Sequence, residues 1–439
     1  MSNPTSSPAA ERAPDTLYGP QTALALLNFP EHGRRLADVP QFVSAYARVK
    51  GAAALANVQL GVITAPIGQG IAEAAKEVAG GSHHDQFPIA LLQGGGGTST
   101  NMNLNEVLAA RASQLLRDRG EQVDVHPNDH VNRSQSTNDT YPTAMSLAVA
   151  ELATDATGAL DELEASLLLQ AEANNDLVRL GRTCLQDAVP LTVGETHRAQ
   201  ARAVARGRAG IQSTVADLAA VPFGATAIGT SVGAPPGFAS AAVFHLNEIA
   251  GTKCTVAPDF FDALAHLDPY SALAAAIVRS TVTVEKIARD LRLLSSGPTG
   301  GLGELRLPPR QAGSSIMPGK INPVIPELVI QLSQRVRGCG HTVDLAVAAG
   351  ELELNVMEPV IFDALITMFE DLADAARFLA HACIDGMEWS RVGLERGLAG
   401  SLHHLVEVAT DQGYANASAM ARSPMTPADS TRAAESSVS

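Results

Sequence analysis

With 439 residues the chain has length for about three domains of the usual size of about 150 residues, and 46% hydrophobic residues supply a large core. Only 18% of residues are charged and the net charge is −15. A sequence-independent grip on nucleic acid is therefore excluded, since it needs clustered Lys and Arg; the nearest approach, "ARAVARGRAG" at 201–210, reads as a solvated or intersubunit helix face. Low charge with abundant Ala, Leu and Val suits helices packed on helices, with some surface hidden in an oligomer.

In chain order, residues 1–16 are rich in Pro, Ser and Ala and predict a disordered arm. They lack the basic and apolar regions of a signal peptide. Residues 17–140 are expected to form an N-terminal domain, which carries two polar segments. "GGGGTSTNMNLNE" (94–106) has the glycines of a phosphate cradle but no basic residue, so Thr98, Asn101 and Asn103 suit a carboxylate as well. "HPNDHVNRSQSTNDTYPT" (126–143) offers the same chemistry at Ser136, Thr137 and Asn138. Its His126, Asn128, Asp129 and His130 suggest a metal, yet no further His or acid completes a ligand set at familiar spacing, which leaves a structural or secondary anion role.

Residues 141–387 carry apolar stripes in steps of three and four. Met145, Val149, Leu152, Ala156, Leu160, Leu163 and Leu167 form one; Leu273, Ile277, Ser280, Val284, Ile287, Leu291 and Leu294 a second; Val329, Leu332, Val336, Cys339, Val343 and Val347 a third. Each predicts a long bundle helix. The fold class is all-α: a long central helical bundle flanked by smaller N- and C-terminal domains.

Two more polar segments interrupt this stretch. "GRTCLQDAVPLTVGE" (181–195) lies between helices. "QAGSSIMPGKIN" (311–322) sets Ser314 and Ser315 among Gly313, Pro318 and Gly319, so the loop can move and turn its N–H groups inward. With the cation of Lys320 and the amide of Asn322 it suits a carboxylate or an enolate-like dianion; alone it also reads as a solvated surface loop. A P-loop is ruled out because Ile321, not Ser or Thr, follows the Lys. The GxSxG elbow of a serine hydrolase is missing.

A short C-terminal domain is expected over 388–423 and a disordered tail over 424–439. Cys184, Cys254, Cys339 and Cys383 form neither a CxxC nor a zinc spacing and read as reduced thiols in a cytoplasmic protein. No run of about 18 apolar residues predicts a membrane span.

Taken together, "GSSIMPGKINP" resembles the signature of the aspartase/fumarase superfamily, and "GTSTNMNLNEV", "HPNDHVNRSQSTNDTYPT", "GRTCLQDAVPLTVGE", "GTSVGAPPGF" and "LNVMEPVI" resemble its other blocks, in the family's order. "LYGPQTALALLNFP" resembles its N-terminal segment. The resemblance implies a homotetramer around a shared helical bundle, with each active site built from loops of three subunits. It implies reversible β-elimination releasing fumarate, without metal or cofactor, on a small dicarboxylate or amino acid.

By matched position, Ser314 is the implied base. Thr98, Ser136, Thr137 and Ser315 resemble the donors that cradle the aci-carboxylate, the dianion left by proton removal. Thr183, Lys320 and Asn322 resemble the grip on the α-carboxylate, and Asn138 a contact to the leaving amine. His126, Asn128 and Asp129 resemble a secondary anion site. TSTNMN, STND, QDAVP and NVMEPV, with Met357 and Glu358, resemble the aspartase branch rather than the class II fumarases, so L-aspartate, fumarate and ammonia are the implied reactants.

Two departures stand out. Cys184 occupies a position where the family carries His or Gln; in fumarases that His pairs with a Glu matching Glu327 and handles the leaving group. Cys184 reads as a space filler, as a thiolate, or as a change of specificity that makes room for a substituted amine. Alternatives are thus a carbon–nitrogen lyase on an N-substituted aspartate, a class II fumarase, or an inactive structural homologue. The last helical domain also looks truncated after "GYANASAMARS", which would affect gating of the mobile loop more than catalysis.

Overall fold

The computed structural model describes residues 16–29, 32–399 and 401–422. Apart from Thr16, the expected arm (1–16) and tail (424–439) lie outside these residues. Among the described residues the chain is α-helical, with strands confined to three two-stranded pairs. Five long helices dominate: Thr137–Ala173, Val193–Asp217, Asp268–Leu294, Val324–Val347 and Glu358–Ala382. All residues of the first two predicted stripes are buried; in the third, Cys339 and Val347 are half-buried and the others buried.

The chain divides into two compact units. The first takes the chain up to Thr154 with Ser213–Ala275 and Gly338–Met368; the second takes Asp155–Gln212, Ala276–Arg337 and the chain from Phe369 onward. Each long helix contributes residues to both.

In the first unit, helices Pro40–Gln59, Ala65–Ala79 and Thr98–Asp118 pack in sequence. Small residues allow the close approach: a Cβ at Gly68 would lie 2.1 Å from Val58. Phe42, Tyr46, Tyr141 and Phe362 form an aromatic core, with Phe42 4.6 Å from Phe362 and 5.0 Å from Tyr141 between ring centroids. Such tilted and edge-on pairs contribute beyond their buried area. This core places the polar segments. Gly97 caps the Thr98 helix at φ 83°, and a Cβ there would meet the Tyr141 ring at 2.2 Å, so only glycine serves. The "NVMEPV" segment backs the same turn, because a Cβ at Gly96 would sit 3.6 Å from Val356.

In the second unit, strands Val178–Thr183 and Gln186–Thr192 form an antiparallel hairpin. Its two-residue turn is Cys184–Leu185, at φ 53° and 60°. Strand Leu305–Arg306 pairs with Glu388–Trp389 and leads into the Ser314 loop. Behind the hairpin, Glu304 is buried between Arg182 (2.5 Å) and Arg179 (3.6 Å). The Arg179 guanidinium lies 5.8 Å from the Trp389 ring, and Trp389 Nε1 donates to His197 Nε2 at 3.3 Å. Helices Arg391–Ala399, Leu405–Gln412 and Tyr414–Ala421 follow.

Candidate active site

In the first unit, three consecutive residues open the Thr137–Ala173 helix from a cap that faces both ways. Ser136 Oγ accepts the Asn138 N–H at 3.2 Å, and the Asp139 carboxylate accepts the Ser136 N–H at 3.0 Å. This is the reciprocal logic of a capping box. Thr137 Oγ1 accepts from Asn101 Nδ2 at 3.0 Å. Ser136 and Thr137 therefore each have an acceptor position filled by protein, leaving the hydroxyl proton to donate elsewhere. Asn138 is set the opposite way. Its Nδ2 donates to the Ala227 carbonyl at 2.7 Å, so its Oδ1 is the end left to accept an N–H. Thr98 also presents an acceptor, because its Oγ1 donates to the Gly95 carbonyl at 2.7 Å. Asn101 and Asn103 are buried and bond inward, to Asn132 and Thr137 and to Gln86, so they support the segment instead of facing a ligand.

Asp139 is the keel of this arrangement. Besides Ser136 it accepts N–H groups of Gly224 (3.2 Å) and Thr226 (2.9 Å). Burial pushes its carboxyl up to about 7, against the pull of these donors.

In the second unit, the loop bearing Ser314 closes on itself. Gly313 N donates to the Lys320 carbonyl at 2.8 Å, and Asn322 Nδ2 donates to the Gly313 carbonyl at 2.7 Å. A Cβ at Gly313 would lie 2.5 Å from that Lys320 oxygen. Arg310 Nε holds the loop root by donating to the Ala382 carbonyl at 2.8 Å. Ser314 Oγ accepts two backbone N–H groups, from Ile316 at 3.2 Å and Met317 at 3.0 Å. Both donors favour negative charge on that oxygen. Arg310, Ser314, Met317 and Lys320 line one open cavity of about 390 Å³. Ser315 and Lys320 are exposed, as are Thr183 and Cys184 on the hairpin.

The Lyase family matches the chain over residues 9–338. The aspartate ammonia-lyase of Escherichia coli strain K12 is 43% identical over 375 residues, covering 85% of this chain and 78% of its own. The class II fumarate hydratase of Pseudomonas putida is 41% identical over 390 residues, 88% of this chain and 84% of its own. A Brucella melitensis crystal structure, described as a fumarate lyase:delta crystallin bound to cobalt, superposes with a TM-score of 0.90 at 36% identity, covering 97% and 96% of the two chains. The chain belongs to the aspartase/fumarase superfamily, on its aspartase branch. It is an aspartate ammonia-lyase-like enzyme.

Other residues of this lyase take less expected positions. Glu327 pairs with Arg292 at 3.4 Å, a partner that sequence reasoning did not supply. His126 Nδ1 accepts the N–H groups of Asn128 (3.3 Å) and Asp129 (3.1 Å), so the ring caps its own turn. Among the described residues no group of three or more His, Cys, Asp or Glu is arranged to hold a metal ion. No helix among them is long and apolar enough to cross a membrane.

The residue most clearly missed is Lys50, wholly buried in the Pro40–Gln59 helix. Its signal was present: in "RVKGAAALAN" a second cation follows Arg48 by two residues, at the start of an Ala-rich run. Burial lowers its pKa to about 7, partly offset by the Asp139 carboxylate.

Proposed function

We propose that this enzyme is a carbon–nitrogen lyase that reversibly eliminates ammonia from L-aspartate to give fumarate, with Ser314 as base. The observation that carries the reading is the pair of N–H groups on Ser314 Oγ. A serine hydroxyl is a poor base unless its alkoxide is stabilised, and these donors with the Lys320 ammonium are the means. Ser314 takes the proton from the carbon beside the β-carboxylate. The electron pair moves into that carboxylate, which becomes a dianion at one end. Ser136, Thr137 and Ser315 supply hydroxyl donors to it. The pair then returns to form the C=C bond, and ammonia leaves with the electrons of the C–N bond. Thr183, Lys320 and Asn322 hold the α-carboxylate. Asn138 Oδ1, and in this conformation Thr98 Oγ1, are acceptors suited to an ammonium group.

The reading includes a cytoplasmic homotetramer with sites shared by three subunits. Leu169, Leu345 and Val282 on the long helices are 71%, 61% and 42% exposed, which favours partner helices over them. Light scattering is expected to give the mass of four 45.6 kDa chains. The decisive assay follows fumarate at 240 nm with L-aspartate and with L-malate in turn. Fumarate from aspartate alone is expected, and fumarate from malate alone would replace this reading with a fumarase.

A second reading keeps the same chemistry on an N-substituted aspartate. It is favoured by Cys184, a small side chain exposed at the hairpin tip. Turnover of an N-alkyl aspartate faster than L-aspartate would decide for it.

A further inference from the structure

The buried ammonium of Lys50 needs a reason. Removing a charge from water costs several kcal/mol unless something answers it, and among the described residues no carboxylate lies within ion-pair distance of Lys50. The Asp139 carboxylate attracts it from beyond that distance, and neutral acceptors meet it directly: Asn132 Oδ1 at 3.0 Å and Gln135 Oε1 at 3.0 Å. The Tyr46 ring lies 5.6 Å away. A neutral side chain of similar shape would fill this apolar helix face at lower cost, so the charge is the feature to explain.

The hydrogen bonds lead from Lys50 to the candidate site. Asn132 Oδ1 also accepts Asn101 Nδ2 at 3.1 Å and Asn105 Nδ2 at 3.2 Å. Three donors on one oxygen fix the amide plane of Asn132. Asn101 Nδ2 uses its other hydrogen on Thr137 Oγ1, at 3.0 Å. The donor direction reverses at Asn132 Oδ1, which accepts from both Lys50 and Asn101, so what reaches Thr137 along these bonds is a fixed geometry: Asn101 fills an acceptor position of a hydroxyl whose own proton remains to be given. The charge of the ammonium acts on that hydroxyl through space, and burial strengthens the effect.

We propose that Lys50 is a positioning residue for the elimination: through Asn132 and Asn101 it fixes Thr137 as a donor, and its charge adds positive potential at that hydroxyl. This rests on the function proposed above. A carboxylate with one negative charge gains less from that potential than the doubly charged aci-carboxylate, so Lys50 favours the intermediate over the ground state. That difference lowers the barrier, whereas equal binding of both states would not.

The test compares Lys50→Met with the parent enzyme in binding two probes, read by calorimetry without turnover. Succinate mimics the ground state. The nitronate of 3-nitropropionate has the planar geometry of the aci-carboxylate and, like it, a negative charge on each of its two oxygens, with a positive nitrogen between them. Loss of nitronate affinity by about tenfold or more beyond any loss for succinate is expected, because the greater negative charge on the nitronate oxygens meets the field of Lys50 in a partly buried site; kcat falls while KM for L-aspartate moves less. Equal losses for the two probes, or none, would overturn the role of Lys50. If the parent enzyme binds neither probe, the proposed function itself fails and this inference with it. Should Lys50→Met not fold, Lys50→Gln keeps an N–H donor without the charge and is read by the same ratio.

Discussion

The segment Ser136–Asn138 and the loop Gly313–Asn322 are built on opposite principles. In the first, each side chain has one hydrogen-bonding role filled from within the protein, and Thr137 and Asp139 are buried. In the second, Ile316 is 83% exposed and Met317 50%, and the loop is held at its root by two bonds at Gly313. Groups that meet developing charge do most when they need no reorganisation. A group that must admit substrate and then exclude water has to move. On the function proposed above, the rigid half suits the stabilisation of charge and the open half the transfer of the proton.

The strongest way to break this comparison is at its two ends. Ser314→Ala is expected to reduce kcat by about 10²–10⁴, the range for a positioned base, with the thermal midpoint unchanged. Substantial residual turnover would remove Ser314 from the role. Thr137→Val should cost about 10²–10³ in kcat, as for one donor to a developing oxyanion, but with an additional signature. It leaves Asn101 Nδ2 buried without one of its acceptors, worth about 1–3 kcal/mol of stability. If Thr137→Val loses activity with no loss of stability, the segment is less rigidly tied than its bonds suggest.

The second unit is not open throughout, and a pH experiment sharpens the contrast. His197 is buried, with Trp389 Nε1 donating to its Nε2 and its Nδ1 2.8 Å from Gln200 Oε1. Burial lowers its pKa from 6.5 to about 4. The unfolded chain therefore binds a proton on His197 at higher pH than the folded one, so this residue's stability contribution falls as pH drops from about 6.5 to about 4 and is flat below. The span is on the order of 3 kcal/mol. Denaturant unfolding followed by the fluorescence of Trp389, the only tryptophan, should show a shallower acid slope in His197→Gln than in the parent. Equal slopes would mean that His197 is no fixed part of the clamp behind the hairpin.

How much of this was legible in sequence differs between the same two halves. The long helices were, because a stripe such as Met145 to Leu167 needs only the helical period, and all seven of its residues are buried. The polar segments were visible as segments, and their roles came from resemblance. What was hidden depends on residues far apart meeting. Lys50 and Asn132 are 82 positions apart, and no local pattern announces that an ammonium will face that amide. The orientation of Asn138 is set by Ala227, 89 positions on. Even within the base loop, the donors to Ser314 Oγ are local in sequence, yet the turn that aims them is fixed by the bonds between Gly313, Lys320 and Asn322.

The smallest expected effect tests the hairpin tip, Cys184–Leu185. Two-residue hairpin turns with both residues at positive φ favour Asn-Gly, because a side chain there crowds the backbone. Here the two are Cys184 and Leu185, at φ 53° and 60°, and Leu185 is 68% exposed. Each non-glycine residue in that region costs about 1–2 kcal/mol, and the exposed Leu recovers little by burial in the single chain. Cys184→Gly should therefore raise stability by about 1 kcal/mol, offset in part by the greater freedom of glycine in the unfolded chain. Cys184→Asn, which tolerates the left-handed region, should gain less. If Cys184 only fills space, both variants keep the parent's ratio of activity on L-aspartate to that on an N-alkyl aspartate. If the tip sets the amine, the smaller glycine shifts the ratio toward the substituted substrate while asparagine, larger than cysteine, shifts it back. A change in that ratio with unchanged stability would assign the strain at Cys184 to specificity instead of to an ill-suited turn.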